Sequence, residues 1–215
     1  MLLLAGLGNP GQRYTTNRHN LGFLAVEEIV RRHGLGPWRQ RFQSLASEGR
    51  VAGQKVLCLK PQTYMNRSGQ AIGEALRFFK LSPDALYVLH DEIDLAPGKL
   101  RVKQGGGPGG HNGLRSVDAH IGRDYWRVRM GVGHPGDKDL VHGYVLRDFP
   151  KQDHAWVEKL VDAVAAELPR LVSGDAPAFM SRIAYIMAPP KPPREADQRQ
   201  DKPETGPPPE DPPKS

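Results

Sequence analysis

Residues 2–20 read LLLAGLGNPGQRYTTNRHN. Leu2–Leu7 is a short continuous apolar run, as expected for a strand covered on both faces of a sheet. It leads into Gly6-Leu7-Gly8-Asn9-Pro10-Gly11, which satisfies G-x-G-x-x-G, the dinucleotide fingerprint. A dinucleotide site needs a helix directly after the third glycine and a second strand ending in an acidic residue about twenty positions on. Here Gly11 is followed by the polar run Gln12–Asn20, and Glu27 and Glu28 lie inside a helical pattern. These glycines therefore read as a loop at the end of a buried strand, and nicotinamide binding is not expected.

Working outward, strand and helix patterns alternate. Leu21–His33 places Leu21, Leu24, Ile29 and Val30 near helical spacing and stops at Gly34, a helix-terminating glycine. Val51–Ala52 and Lys55–Leu59 flank Gly53-Gln54 as a hairpin. Ser68–Phe79 carries Ile72, Ala75, Leu76 and Phe79 on one helical face. Leu86–Leu89 reads as a buried strand and Lys99–Lys103 as a more polar one. Tyr125–Val132 alternates as a half-buried strand with Arg127 and Arg129 on its exposed face, and His154–Leu168 and Ala178–Met187 close the series as helices. Hairpin and crossover signals occur together, so the expected fold is a single α/β domain over 1–187, with a central mixed sheet flanked by helices.

Residues 188–215 hold 10 of the 20 prolines and almost no apolar side chains, the composition of a disordered tail. The 30 basic and 24 acidic residues give a net charge of +6, and the body without the tail carries +7, compatible with a polyanionic partner. The apolar stretches Met1–Ala5 and Leu21–Val26 are far short of a membrane span, and Met1–Ala5 lacks the features of a signal peptide. One cysteine, Cys58, excludes an internal disulfide framework and a Cys-rich zinc module. A soluble protein of the cytoplasm is the expectation.

Four loops concentrate Asn, His, Asp and Tyr beside glycine or proline: 6–20, PQTYMNRSG (61–69), HDEID (90–94) and QGGGPGGHNG (104–113). If the strands before them are parallel neighbours, the loops converge on one cleft. His19 is the candidate general base, because a neutral imidazole is well populated near pH 7. Such a base needs a carboxylate to hold its tautomer, and Asp91 follows a buried strand. Spacing alone does not bring the two together; each reads equally well as a loop or turn residue. Asn9, Asn66 and Asn112 add amide groups suited to a peptide backbone or an oxyanion. There is no G-x-S-x-G nucleophile elbow, Cys58 sits in an apolar strand, and His111, His120, His134 and His142 lack metal-ligand spacing. The five glycines at 105–107 and 109–110 suggest a mobile flap or close approach of a bulky ligand.

Taken together, GLGNPGQRY, NRHNLGF (17–23), PQTYMNRSG, HDEIDLAPG, GGGPGGHNGLRS and GVGHPGDK (131–138) resemble, in order and spacing, the bacterial-type peptidyl-tRNA hydrolases. Asn17 departs from the threonine that many members carry, and the tail lies outside the match. The resemblance implies hydrolysis of the ester joining a peptide to the 3′-terminal ribose of tRNA, with His19 as general base and Asp91 supporting it. It implies that Asn9 binds the peptide moiety and favours blocked substrates. It further implies that Tyr14, Tyr64, Asn66 and Asn112 bind substrate, and that Lys103 and Arg129 hold the tRNA terminal phosphate. No metal or organic cofactor is implied, and a monomer is expected. A non-catalytic RNA-binding relative is the rival reading.

Overall fold

The structure, a computed structural model, describes residues 1–188; the tail expectation lies outside them. In chain order the elements are β1 (Leu2–Gly6), α1 (Leu21–Arg32), β2 (Arg39–Arg41), β3 (Ser44–Val51), β4 (Gln54–Pro61), α2 (Ser68–Phe79) and β5 (Leu86–Glu92). They continue with β6 (Leu100–Gln104), α3 (Asn112–Ile121), β7 (Trp126–Gly131), α4 (Val141–Val145), α5 (Lys151–Val172) and α6 (Ala176–Met187). All the strands join one 7-stranded sheet in the order β2-β3-β4-β1-β5-β7-β6. The inner strands β4, β1, β5 and β7 are parallel, whereas β2, β3 and β6 are antiparallel to their neighbours. The mixed sheet is thus as expected, with the hairpin pairings confined to its two sides.

Apolar residues on both faces of β1 are explained by two cores. Leu4 packs with α1 and α5, together with Ile29, Leu160 and Val164. Leu3 and Ala5 pack on the opposite face with Ile72 and Ala75 of α2 and Leu114 and Val117 of α3. Cys58 is fully buried in β4, and that burial pushes its thiol up to about 12, so it is an inert core residue. The hairpin turn is Ala52-Gly53, one position earlier than read from sequence, with φ of 47° and 79°. Positive φ at both central residues is the two-residue turn whose twist matches its strands.

One expectation is corrected, and one condition set from sequence is met by three of the four loops only. Arg127 is not on an exposed face: it is 2% exposed and ion-paired with Asp118 of α3 at 2.9 Å. The glycine-rich loop does not follow a parallel strand, because β6 runs antiparallel to β7 and ends at the opposite end of the sheet from β5. The chain must travel back along the α3 face to reach the other loops. Gly105, Gly106, Gly109 and Gly110 make this return with φ between 54° and 102°, conformations that side-chain-bearing residues disfavour. Arg127 anchors the root of the loop by donating to the carbonyls of Gly106 and Gly107.

The first turn of α1 lies almost on the sheet backbone. A Cβ on Gly22 would stand 2.3 Å from the Leu89 carbonyl oxygen and 2.4 Å from the Leu7 nitrogen. Neither atom can move without breaking the β1–β5 end, where Leu7 N–H donates to Leu89 C=O at 2.9 Å. Gly22→Ala should therefore displace α1 and lower stability by about 1–3 kcal/mol or more, as overpacking does. Denaturant unfolding measures this, and an unchanged midpoint would show that the contact is loose.

Candidate active site

Loops that leave parallel strands emerge at one end of the sheet, and here they enclose a cleft of about 630 Å³. Asn9 follows β1, Tyr64, Met65 and Asn66 follow β4, and Asp91 is the penultimate residue of β5. His19 lies in a short 3-10 turn, Arg18–Asn20, that runs directly into α1. The close seating of α1 thus carries His19 to the end of β5.

His19 Nδ1 lies 3.0 Å from both Asp91 carboxylate oxygens. His111 Nε2 meets Oδ1 of the same carboxylate at 3.0 Å. His111 is also the N-cap of α3: its Nδ1 accepts from the backbone N–H of Gly113 at 3.1 Å and of Leu114 at 3.3 Å. An acceptor Nδ1 places the His111 proton on Nε2, so His111 donates to Asp91. His19 donates from Nδ1, which leaves its Nε2 as the basic atom on the cleft wall. Burial opposes charge on His19, but the Asp91 charge and hydrogen bond outweigh it and raise its pKa above the ordinary 6.5. Burial would likewise push the Asp91 carboxyl up, yet the two histidines hold it well below the usual carboxylate range. His19, Asp91 and His111 are also the one set among the described residues with metal-compatible spacing. Two N–H donors on a single carboxylate account for their contacts.

Asn20, not singled out from sequence, fixes Asn9. Its Oδ1 accepts from Asn9 N–H at 2.9 Å and its Nδ2 donates to Asn9 C=O at 3.0 Å. Asn9 Oδ1 accepts from Met65 N–H at 2.8 Å. The polar atom left on Asn9 is the donor Nδ2, on the cleft wall. Arg18 fixes the turn from the other side. Its guanidinium donates to Asp148 C=O at 3.0 Å and stacks on Tyr144 at 4.3 Å, while Asn17 Nδ2 donates to Asp148 Oδ1 at 2.7 Å.

Of the residues selected from sequence, Asn9, His19, Tyr64, Asn66, Asp91 and Asn112 line the cleft. Tyr14, Lys103 and Arg129 do not. Tyr14 packs beneath the Arg13 guanidinium on the surface before the His19 turn. Arg129 Nε donates to Glu92 at 2.9 Å, and Glu92 borders the cleft. Lys103 stands opposite Arg127 in the β6–β7 ladder, away from the cleft lining. His111 was read as a scattered histidine and is instead at the centre. The signal that could have found it is Leu114, Val117 and Ile121, whose helical spacing marks the start of α3 just after it.

A family model described as peptidyl-tRNA hydrolase matches residues 3–191. The chain belongs to the peptidyl-tRNA hydrolase family. A peptidyl-tRNA hydrolase of Rhodospirillum centenum is 59% identical over 191 residues, 89% of this chain and 84% of that protein. One of Cereibacter sphaeroides is 58% identical over 192 residues, covering 89% of this chain and 85% of that one. The crystal structure of peptidyl-tRNA hydrolase from Acinetobacter baumannii is similar with a TM-score of 0.81 at 40% identity, over 85% of this chain and 94% of that one. Within this family member, Asn17 is occupied with Asp148 and stands outside the histidine–aspartate contacts.

The charge coupling of His19 to Asp91 sets the direction of a pH effect. If His19 acts as a base, the rate rises with pH through its pKa, which Asp91 holds above 6.5. Asp91→Asn removes the attraction and leaves burial, which favours the neutral ring. The acid limb of kcat/KM should then shift below pH 6.5 while the plateau falls. A limb that stays in place would separate Asp91 from the charge of His19.

Proposed function

We propose that the chain hydrolyses the ester between the peptide and the 3′-terminal ribose of peptidyl-tRNA, the activity named by its family, through a water activated by His19. The observation that carries this reading is the buried His19–Asp91 contact at 3.0 Å, which turns the free Nε2 of His19 toward the cleft. Neutral His19 takes a proton from water, and the hydroxide formed attacks the ester carbonyl. Asp91 stabilises the imidazolium while the charge persists. Asn66 supplies an amide donor to the tetrahedral oxyanion. On collapse, the imidazolium returns its proton to the departing ribose oxygen. Residues 1–187 are the catalytic unit in this reading.

Substrate choice follows from Asn9. Its free Nδ2 donates, so it complements the carbonyl of a blocked amino group or preceding peptide unit. A free α-ammonium offers only donors and finds no partner there. Asn112, at the start of α3, and Tyr64, on the rim, complete the contacts to the terminal nucleotide and peptide. Beyond the cleft, the β6–β7 ladder sets Arg101 opposite Arg129 and Lys103 opposite Arg127, so these cations share one face. Arg127 is consumed by Asp118, and Arg129 spends its Nε on Glu92; Lys103 and Arg101, with the remaining N–H groups of Arg129 beside them, hold the terminal phosphate of the tRNA. Tyr14 stands apart from this path. A monomer working in the cytoplasm is consistent with this use of the chain.

A histidine general base contributes about 10²–10⁴-fold, so His19→Ala should fold normally and lose that much kcat/KM on N-blocked aminoacyl-tRNA. Near-normal turnover would remove His19 from the role, and a folded wild type without turnover would favour the non-catalytic RNA-binding relative. Asn9→Asp keeps an oxygen for Met65 N–H and replaces the free donor by an acceptor. The ratio of rates on blocked over unblocked aminoacyl-tRNA should fall toward one. A preserved ratio would place the discrimination elsewhere.

A further inference from the structure

Sheet order gives the cleft two unlike ends. His19 and Asp91 stand over the ends of β1 and β5, the exposed cations lie toward β6, and the amides of Asn9 and Asn66 with the ring of Tyr64 lie toward β4. Beyond Tyr64, the opposite edge of the sheet carries a feature that the hydrolytic chemistry does not use. Phe42 and Gln43 form the β2–β3 turn with φ of 53° and 50°. This turn is at the cleft end, since Ser44 pairs with Pro61, the last residue of β4, and Gln43 C=O accepts from Gln62 N–H at 2.8 Å. The Phe42 ring meets Phe78 at 5.2 Å and Phe79 at 5.6 Å. The Arg41 guanidinium lies 4.6 Å over Phe42 and 5.3 Å from Phe78, while Phe78 remains 63% exposed.

We propose that the Arg41–Phe42–Phe78 face is a subsite for the peptide portion of the substrate, reached after it crosses Tyr64; this rests on the hydrolase reading above. The tRNA phosphates are drawn to the cationic β6 edge, so a peptide esterified over β1 and β5 leaves toward β4. From β1 to β2 is three strand spacings, about 14 Å. An extended chain advances about 3.3–3.6 Å per residue, so at least four or five residues from the ester are needed to reach the Phe42 turn, and Phe78, in the last turn of α2, is met further along the peptide. An exposed ring beside a guanidinium accepts apolar and aromatic side chains on the ring and backbone carbonyls or acidic groups on the cation. That breadth suits peptides of any sequence. The face is not built for RNA: Arg41 is ion-paired with Glu48 at 2.9 Å, and Gln43 donates to Glu74 at 2.8 Å, which sets two carboxylates within it.

The test compares one tRNA carrying either an N-acetyl-aminoacyl group or an N-blocked ten-residue peptide. Phe78→Ser should lower kcat/KM roughly threefold to tenfold on the long peptide and leave the short substrate unchanged, with recovery in Phe78→Tyr. Equal loss on both substrates would assign the face to RNA or to folding, and no loss on either would overturn the subsite. Wild-type turnover of the short substrate tests the hydrolase reading separately. Kd values of the same two tRNAs for His19→Ala, with and without Phe78→Ser, test the subsite even without turnover. There too the serine should weaken only the long peptide, and an equal or absent effect would overturn the proposal.

Discussion

The Asp91 carboxylate, 1% exposed at its side chain, is the constraint around which the cleft is arranged. A carboxylate removed from water stays charged only if donors replace the hydration it lost. The donors are two histidines from distant parts of the chain, one before α1 and one before α3. Each has to be delivered by its own device. The glycine contact between α1 and the sheet brings His19; the returning glycine-rich loop brings His111. The two rings then stand side by side, 4.7 Å apart and tilted by 44°, and both reach the same carboxylate oxygen. His111 is tied at both nitrogens, so it can orient Asp91 but has no free atom for chemistry. His19 is tied at one, and its second nitrogen is left free.

Charge around the acid is kept low by the layer beneath. His90 precedes Asp91, so its side chain lies on the opposite face of β5, edge-on to His111 at 5.1 Å. Burial, followed by the neighbouring His111, pushes its pKa down to about 3. A neutral His90 adds no charge to compete for Asp91. Of the cations on that face, Arg129 is paired with Glu92, and the buried Arg127 is committed to Asp118, which also accepts from the Tyr125 hydroxyl at 2.7 Å. A buried pair of this kind is weak evidence for stability, because desolvation offsets its attraction. Its value here is positional: it holds the loop root and α3 together, and α3 carries the His111 cap.

The sequence was legible where local periodicity and tertiary packing agree. The buried strand of Leu2–Leu7, the helix Ser68–Phe79 and the helix before Gly34 all have apolar spacing that matches the faces they bury. The short edge strand Arg39–Arg41 carries no such signal, since its residues are polar and mostly exposed. Arg127 misled because alternation marks a face of a strand but not what covers it, and α3 covers this one. His19 and Asp91 were legible as types of residue, and the family resemblance assigned their roles. Their contact was not legible, because 72 positions of chain separate them and only the β1–β5 pairing closes the gap. His111 and Asn20 were missed for the same reason: each acts by bonding to another site residue.

His19 is over-determined, and the cost of moving it explains why so much polar structure is buried nearby. Asn20 on its C-terminal side clamps the Asn9 backbone. Arg18 on its N-terminal side is buried against Tyr144 and the carbonyls of 147 and 148, the segment that follows α4. Val141, His142 and Val145 of α4 form the far wall of the cleft. The His19 ring, the Asn9 amide and the opposing wall are thus tied to three consecutive residues, 18–20. An attacking water must meet an ester carbonyl within a few tenths of an ångström for proximity to lower the barrier. A flexible loop of the 14 residues between β1 and α1 could not hold that geometry; bonds from both neighbours of His19 make it do so.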